Sequence, residues 1–293
     1  MILSQAPLIS YPSQAALEDI WVRIKLYNNH IDFDLKVRVA DNNMHSGIAS
    51  GICPNPFQIM MTLLQRLQDF QTQHLCEDLQ VQIPEHRKAE CRYTANKVPL
   101  LSSSLPMNKD LKSIAHAHGE NENYELLLNN YWKPTLSVTG FEGLPTFEKA
   151  GNVVYQMLKL RCSLRLPPTL DSAKAAEIVK AKLSAPEPYN SQVEVVIAGA
   201  GNGFDAPKLH DDIQSKFTEA HKAVFGEGNN PMFVGCGGSI PFMEVFDQNF
   251  PGTNFLLTGC GFLDCNAHAA NENLDLEFCR KLTTVISLLL AKL

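Results

Sequence analysis

The sequence has no Cys-x-x-Cys pair, no apolar run of 18 residues and no excess of basic charge. Each absence excludes something. Eight scattered cysteines (53, 76, 91, 162, 236, 260, 265 and 279) at this length are neither a zinc knuckle nor a disulfide framework. They read as free thiols in a reducing, cytoplasmic compartment. No transmembrane helix is expected without a long apolar run. A net charge of -6 and a pI near 5.8 give no reason to expect nucleic acid or an anionic membrane as partner. The N-terminus, Met1 to Pro7, lacks a basic region followed by an apolar core, so no signal peptide is expected. What remains is 293 residues at 45% hydrophobic, enough for a sizeable core and for two domains.

Residues 1–30 carry little pattern beyond Ile9, Trp21, Ile24 and Leu26, and read as the tail of a larger unit. From Ile31 the alternation of Phe33, Leu35, Val37 and Val39 with Asp34, Lys36 and Arg38 predicts a strand covered on one face. Asn55-Pro56 then opens a helix whose apolar stripe is Ile59, Met60, Leu63, Leu64 and Leu67. Residues 70–130 read as a polar, irregular insertion, with short helices near 109–117 and 122–129 and with His116 and His118 on a solvated surface. Leu136 and Val138 mark a second strand, and Leu158 to Leu164 a third, stopped by Pro167-Pro168. Asp171 caps a helix to about Leu183, and Val193, Val195 and Ile197 begin a fourth strand.

That order, β-α-β-β-α-β over about 31–198, is the ferredoxin-like split βαβ arrangement. Gly199 to Gly203 lacks the Lys-Ser/Thr of a phosphate loop and reads as a flexible connection. A helix is expected over about 207–225. Phe233 and Val234 then run into a Gly-rich turn, Gly235 to Pro241, with a helix after it. Such a turn either holds an anion on its backbone N–H groups or is simply a tight α/β turn.

The most informative stretch is Thr258 to Leu276. A short apolar run precedes it, a helix-like run to Leu293 follows it, and a Gly- and Asn-rich loop between them carries His268. Asn266-Ala267-His268 with Asn271-Glu272 is similar to the last metal-ligand motif of the dizinc metallopeptidases, which include carnosinase-type dipeptidases, aminoacylases and glutamate carboxypeptidase. Met44-His45-Ser46-Gly47, Lys149 to Pro168 and Gly237 to Pro241 match the same family in order, and Trp132 to Gly140 resembles its inner lid strand.

The resemblance implies an α/β chain. It has a lid and dimerisation domain (an α+β, ferredoxin-like unit at 31–198 with the insertion 70–130) and a partial catalytic domain (1–30 and 199–293). It implies that His268 is a zinc ligand and that His45 reaches the partner subunit's site to polarise the scissile carbonyl. Asn152 would help hold the substrate and Arg165 would clamp its carboxylate, for which a guanidinium fork is suited. Gly237, Gly238 and Ser239 would form the substrate-carboxylate turn. Complete relatives hold two zinc ions.

Other parts of the family pattern are missing. The family's bridging Asp and Glu-Glu pair are expected ahead of the lid, yet no Glu-Glu dipeptide occurs in the sequence. His30-Ile31-Asp32 has the form of the family's His-x-Asp motif but opens the lid strand, the wrong place for it. Cys236 stands where relatives carry an acidic residue. One ligand cannot hold zinc, so this chain alone is expected to bind none, and its remnant sheet to be incomplete. Two functions follow. The chain is the C-terminal portion of a peptidase or amidohydrolase acting on dipeptides or N-acyl amino acids, inactive alone. The alternative is a non-catalytic dimerisation or amino-acid-binding protein derived from such an enzyme. Either way a homodimer through the lid is expected.

Overall fold

The structure is a computed structural model that describes residues 22–98, 100–105, 107–108, 110–116, 119–236, 241–260 and 270–293. In chain order its strands and helices begin with β1 (Val22–Tyr27), β2 (Asn29–Arg38), β3 (Met44–His45), α1 (Ser46–Ala49) and α2 (Pro56–Leu64). They continue with α3 (Glu85–Ala95), α4 (Glu122–Tyr131), β4 (Thr135–Glu142), β5 (Val153–Val154), β6 (Met157–Leu166) and α5 (Ser172–Ser184). The last are β7 (Gln192–Gly201), β8 (Phe204–Asp205), α6 (Asp211–Phe225), β9 (Met232–Cys236), α7 (Pro241–Asn249) and α8 (Leu276–Lys292). They fall into two compact units, one of 29–81 and 133–202 (the lid unit) and one of both chain ends plus 82–132 (the terminal unit).

The lid unit is the split βαβ fold that the alternation implies. Its sheet is antiparallel in the order β4-β6-β2-β7. Ile31, Phe33, Leu35 and Val37 of β2 and Leu158, Leu160, Cys162, Leu164 and Leu166 of β6 point to one face and are buried. There they meet Ile59, Met60 and Leu63 of α2 and Ala175, Val179 and Leu183 of α5. Full burial of one such aliphatic or aromatic side chain contributes about 1.5–3 kcal/mol. Local chemistry starts the helices: Asn55 Oδ1 accepts from Phe57 N at 2.8 Å, and Asp171 Oδ1 from Lys174 N at 2.8 Å. Arg66 then donates to the carbonyls of Lys182, Ala185 and Pro186 (2.7–3.0 Å), tying the chain after α2 to the C-terminal end of α5.

Two expectations change in this unit. Gly199 to Gly201 is not a flexible connection. It continues β7, with Gly199 opposite Asp32 and Gly201 opposite His30, because the β2 backbone offers partners along the whole strand. A second, two-stranded ladder of β3 and β5 was not anticipated, since each strand is only two residues long.

In the terminal unit, β1 pairs parallel with β9 and antiparallel with β8. Phe217, Ala220 and Phe225 of α6 pack on Phe278, Leu282, Val285 and Leu289 of α8. The insertion expected within the lid divides at residue 82, and 82–132 belongs to this unit. Its main helix, α3, has few apolar residues and escapes periodicity. Its inner face is Arg87, Cys91, Thr94 and Ala95. Arg87, 3% exposed, donates to Asp205 Oδ1 of β8 at 2.5 Å, to Ala206 O at 2.7 Å and to Glu90 Oε2 at 2.9 Å. The helix expected near 109–117 does not form in the described residues. That stretch is a loop pinned by Ser113 Oγ–Glu122 (2.7 Å) and His116 N–Glu125 (3.0 Å).

Candidate functional site

His45 ends β3 and caps α1. Its Nδ1 accepts from Gly47 N at 3.1 Å, so in the neutral ring the proton sits on Nε2, which is left as a donor. A Cβ on Gly47 would come within 3.0 Å of the ring, so glycine two residues on is what lets the imidazole fold back as a cap. Pairing of β3 with β5 sets His45 opposite Val153, and Ser46 N donates to Asn152 O at 2.8 Å. His45 and Asn152, both exposed, are thus brought together from positions over a hundred residues apart.

Arg165 lies at the other end of the same sheet. The ladder runs from Arg38 opposite Met157 to Asn29 opposite Leu166, and His45 lies beyond the Met157 end. Met157 and Arg165 are eight residues apart on β6, or about 26 Å at roughly 3.3 Å per residue. One dipeptide cannot touch both residues of a single lid. On the sheet's open face Arg165 stands in register between Thr135 of β4 and His30 of β2.

The neighbouring Arg161 is differently placed. It stands opposite Asp34 and donates to both carboxylate oxygens, Nε–Oδ1 at 2.7 Å and Nη–Oδ2 at 3.0 Å, while Lys159 adds a contact at 2.9 Å. These bonds from Arg161 and Lys159 hold the Asp34 carboxyl well below the usual carboxylate range.

Gly237, Gly238 and Ser239, and likewise His268 and Asn266, lie outside the described residues. Their flanks follow the expected order, with β9 before the Gly-rich stretch and α7 after it, and α8 beginning at Leu276 behind the Asp275 cap. Among the described residues no three His, Cys, Asp or Glu side chains are grouped to hold a metal. Zinc needs three or four ligands, and the candidate ligand His268 lies outside the described residues, so the described residues by themselves supply no zinc centre. Cys53, Cys76, Cys91, Cys162, Cys260 and Cys279 are free thiols, and burial pushes the Cys91 and Cys162 thiols up to about 12, which leaves them inert. No described helix is long and apolar enough to cross a membrane.

The family model of the peptidase dimerisation domain matches residues 29–190, more than half of the chain. The chain belongs to this M20 peptidase family. Among curated relatives, a cysteinylglycine-S-conjugate dipeptidase of Corynebacterium striatum is 29% identical over 143 residues, covering 49% of this chain and 31% of its own. The Cys-Gly metallodipeptidase DUG1 of Saccharomyces cerevisiae is 27% identical over 242 residues, covering 80% of this chain and 48% of its own. The chain therefore spans about a third to a half of the length of these relatives. Among solved structures, the M20 family metallo-carboxypeptidase Sso-CP2 of Sulfolobus solfataricus superposes with a TM-score of 0.72 at 21% identity, over 92% of this chain and 59% of that one. Human carnosine dipeptidase 1 gives 0.67 at 21% identity, over 96% and 56%. At such identities the likeness establishes the fold, an M20 peptidase lid joined to an α/β unit.

Proposed function

We propose that this chain is the lid and C-terminal portion of a zinc-dependent M20 peptidase or amidohydrolase that acts on dipeptides or N-acyl amino acids in the cytoplasm. It works as a homodimer joined through the lid. The observation that carries this reading is the separation of about 26 Å between the His45 and Arg165 ends of one sheet. A small peptide held through its carboxylate by Arg165 of one subunit can meet only the other subunit's lid histidine. In this reading His45 Nε2–H polarises the scissile carbonyl in trans, and Asn152 helps to hold the substrate. Gly237, Gly238 and Ser239 form the substrate-carboxylate turn, and His268 supplies one metal ligand. The remaining zinc ligands and the general base come from a polypeptide carrying the family's His-x-Asp and Glu-Glu motifs, and the chain by itself hydrolyses nothing. Zinc, when bound, would activate the attacking water.

The apolar surface supports the dimer. Val138 and Phe141 of β4 face the same side as the core, yet remain 52% and 47% exposed at the edge of the sheet. Ile48, Ile52 and Phe147 are more exposed still. An uncovered edge strand with such a patch calls for a partner. An isologous lid contact would extend the sheet across a two-fold axis, with α2 packed beneath it.

The test is light scattering on the purified chain, followed by assay on Cys-Gly and N-acetylated amino acids with added zinc. A dimer that turns over only when a relative's metal-binding half is added supports the proposal. A single monomer mass across a tenfold rise in concentration removes the dimer. Chelator-sensitive hydrolysis by the chain alone removes the dependence on outside ligands. The absence of a Glu-Glu dipeptide favours a second reading, a non-catalytic dimerisation or amino-acid-binding protein. A dimer that binds amino acids but stays inert with the added half would establish it.

A further inference from the structure

The open face of the lid sheet is built in rows, and the two arginines of β6 occupy rows of opposite character. Arg161 meets an acid directly across the ladder, Asp34, and is neutralised by it. Arg165, four residues on, is flanked in its row by Thr135 and His30. Asp32, on the same face, stands one row away opposite Ser163 and Gly199, and no ion pair among the described residues involves Arg165. Directly opposed residues of an antiparallel pair bring their Cβ atoms to about 4.5–5.5 Å, so His30 and Arg165 are immediate neighbours.

Gly201 makes room for His30. A Cβ there would lie 2.5 Å from the His30 Cε1 and 3.0 Å from its Nδ1, closer than carbon and nitrogen can approach. The ring is thereby laid against the β7 backbone, with Nδ1 buried and without a hydrogen-bond partner. A buried N–H left without a partner is rarer in folded proteins than a buried acceptor left without one. The proton of the neutral ring therefore sits on Nε2, which becomes its donor. The row then holds the Arg165 guanidinium on β6 and an imidazole laid towards β7, with no acid opposite either of them in the ladder.

We propose that His30 is a second substrate-contacting residue, which together with Arg165 grips one carboxylate, and that Gly201 is the residue that lets it do so. Two N–H bonds from Arg165 and one from His30 Nε2 would fill three of the roughly four acceptor positions of a carboxylate. The ligand class is the terminal carboxylate of a dipeptide or N-acyl amino acid; the corresponding amide, lacking charge and the second oxygen, is refused. The inference rests on the reading of Arg165 as the carboxylate-binding group and deepens it.

The experiment is a titration of the isotope-labelled full chain with N-acetylalanine and, separately, N-acetylalaninamide. It is followed by nitrogen-15 resonances of the His30 ring and the Arg165 Nε. The acid is expected to shift both and the amide neither. His30→Ala and Gly201→Ala should each weaken acid binding roughly tenfold, the loss of one hydrogen bond to a charged group. His30→Gln, which restores an N–H donor, should recover part of that loss, and Arg165→Ala should abolish binding. If Gly201→Ala does not fold, His30→Ala decides. Unchanged binding in His30→Ala beside lost binding in Arg165→Ala overturns the His30 inference and leaves Arg165 in place. Undiminished binding in Arg165→Ala, or equal binding of acid and amide, overturns the underlying reading itself.

Discussion

In the lid unit the side chains that β2 turns inward are Ile31, Phe33, Leu35 and Val37, all fully buried, whereas in the terminal unit α3 turns Arg87 inward and α6 turns His221 inward. The first interior gains stability from every residue alike and needs no particular partner. The second adds to the apolar packing of α6 on α8 buried polar groups that must be satisfied, so part of its stability rests in a few bonds and responds to pH. Arg87 joins α3 to β8 through Asp205 and Ala206. His221 stacks on Phe225 with ring centroids 4.7 Å apart and holds the Asn229 carbonyl through Nδ1 at 3.0 Å.

Breaking the two interiors should therefore give different signatures. The largest effect is expected from Arg87→Ala, which strands the Asp205 carboxylate in a site whose burial already pushes its pKa up against the pull of Arg87. A loss of about 3–5 kcal/mol is expected. In urea, unfolding should split, with the terminal unit melting first and the lid transition unmoved; a single shifted transition would mean that the units do not unfold separately. Leu35→Ala, which removes a fully buried lid side chain, should cost about 2–5 kcal/mol and destabilise the lid transition in turn.

The pH response sharpens the contrast. Burial lowers the His221 pKa below its usual value, only partly offset by the bond to Asn229. The unfolded chain then binds the proton more readily than the folded one. Stability is fully present above the unfolded value of about 6.5. It is lost as pH falls from there through the folded pKa, by at most about 1.4 kcal/mol per unit. Thermal melts from pH 7.5 to 5 should show that slope in the terminal unit, and His221→Phe should flatten it. The smallest expected effect is Asp171→Ala, which removes the cap of α5 and should lower lid stability by about 1 kcal/mol. Far-ultraviolet circular dichroism with denaturant titration would measure it.

The same difference explains what could be read in advance. The lid was legible because its strands alternate with period two, its helices carry one apolar stripe and its caps are Asn55 and Asp171. Helix α3 was not, because its buried face is largely polar and no periodic signal marks it. Among candidate site residues, motif resemblance singled out His45, Asn152 and Arg165 but passed over His30, which the pattern offered only as half of a misplaced His-x-Asp. The proposal for His30 rests on a glycine facing it across the ladder, which is visible only once β7 is known to run on through Gly201.

By itself, then, the sequence determined the split βαβ topology, since local periodicity and capping act between residues close in the chain. It also carried the family motifs. Tertiary structure decided everything that depends on register between distant strands. It paired His45 with Asn152 through β3 and β5, and put the Arg165 end of the sheet about 26 Å from the His45 end. It gave Arg161 its acid and Arg165 its imidazole. In a ladder a shift of one residue turns every side chain to the other face. Those neighbours are consequently fixed by the sum of all pairings along the sheet, which no short stretch of sequence contains.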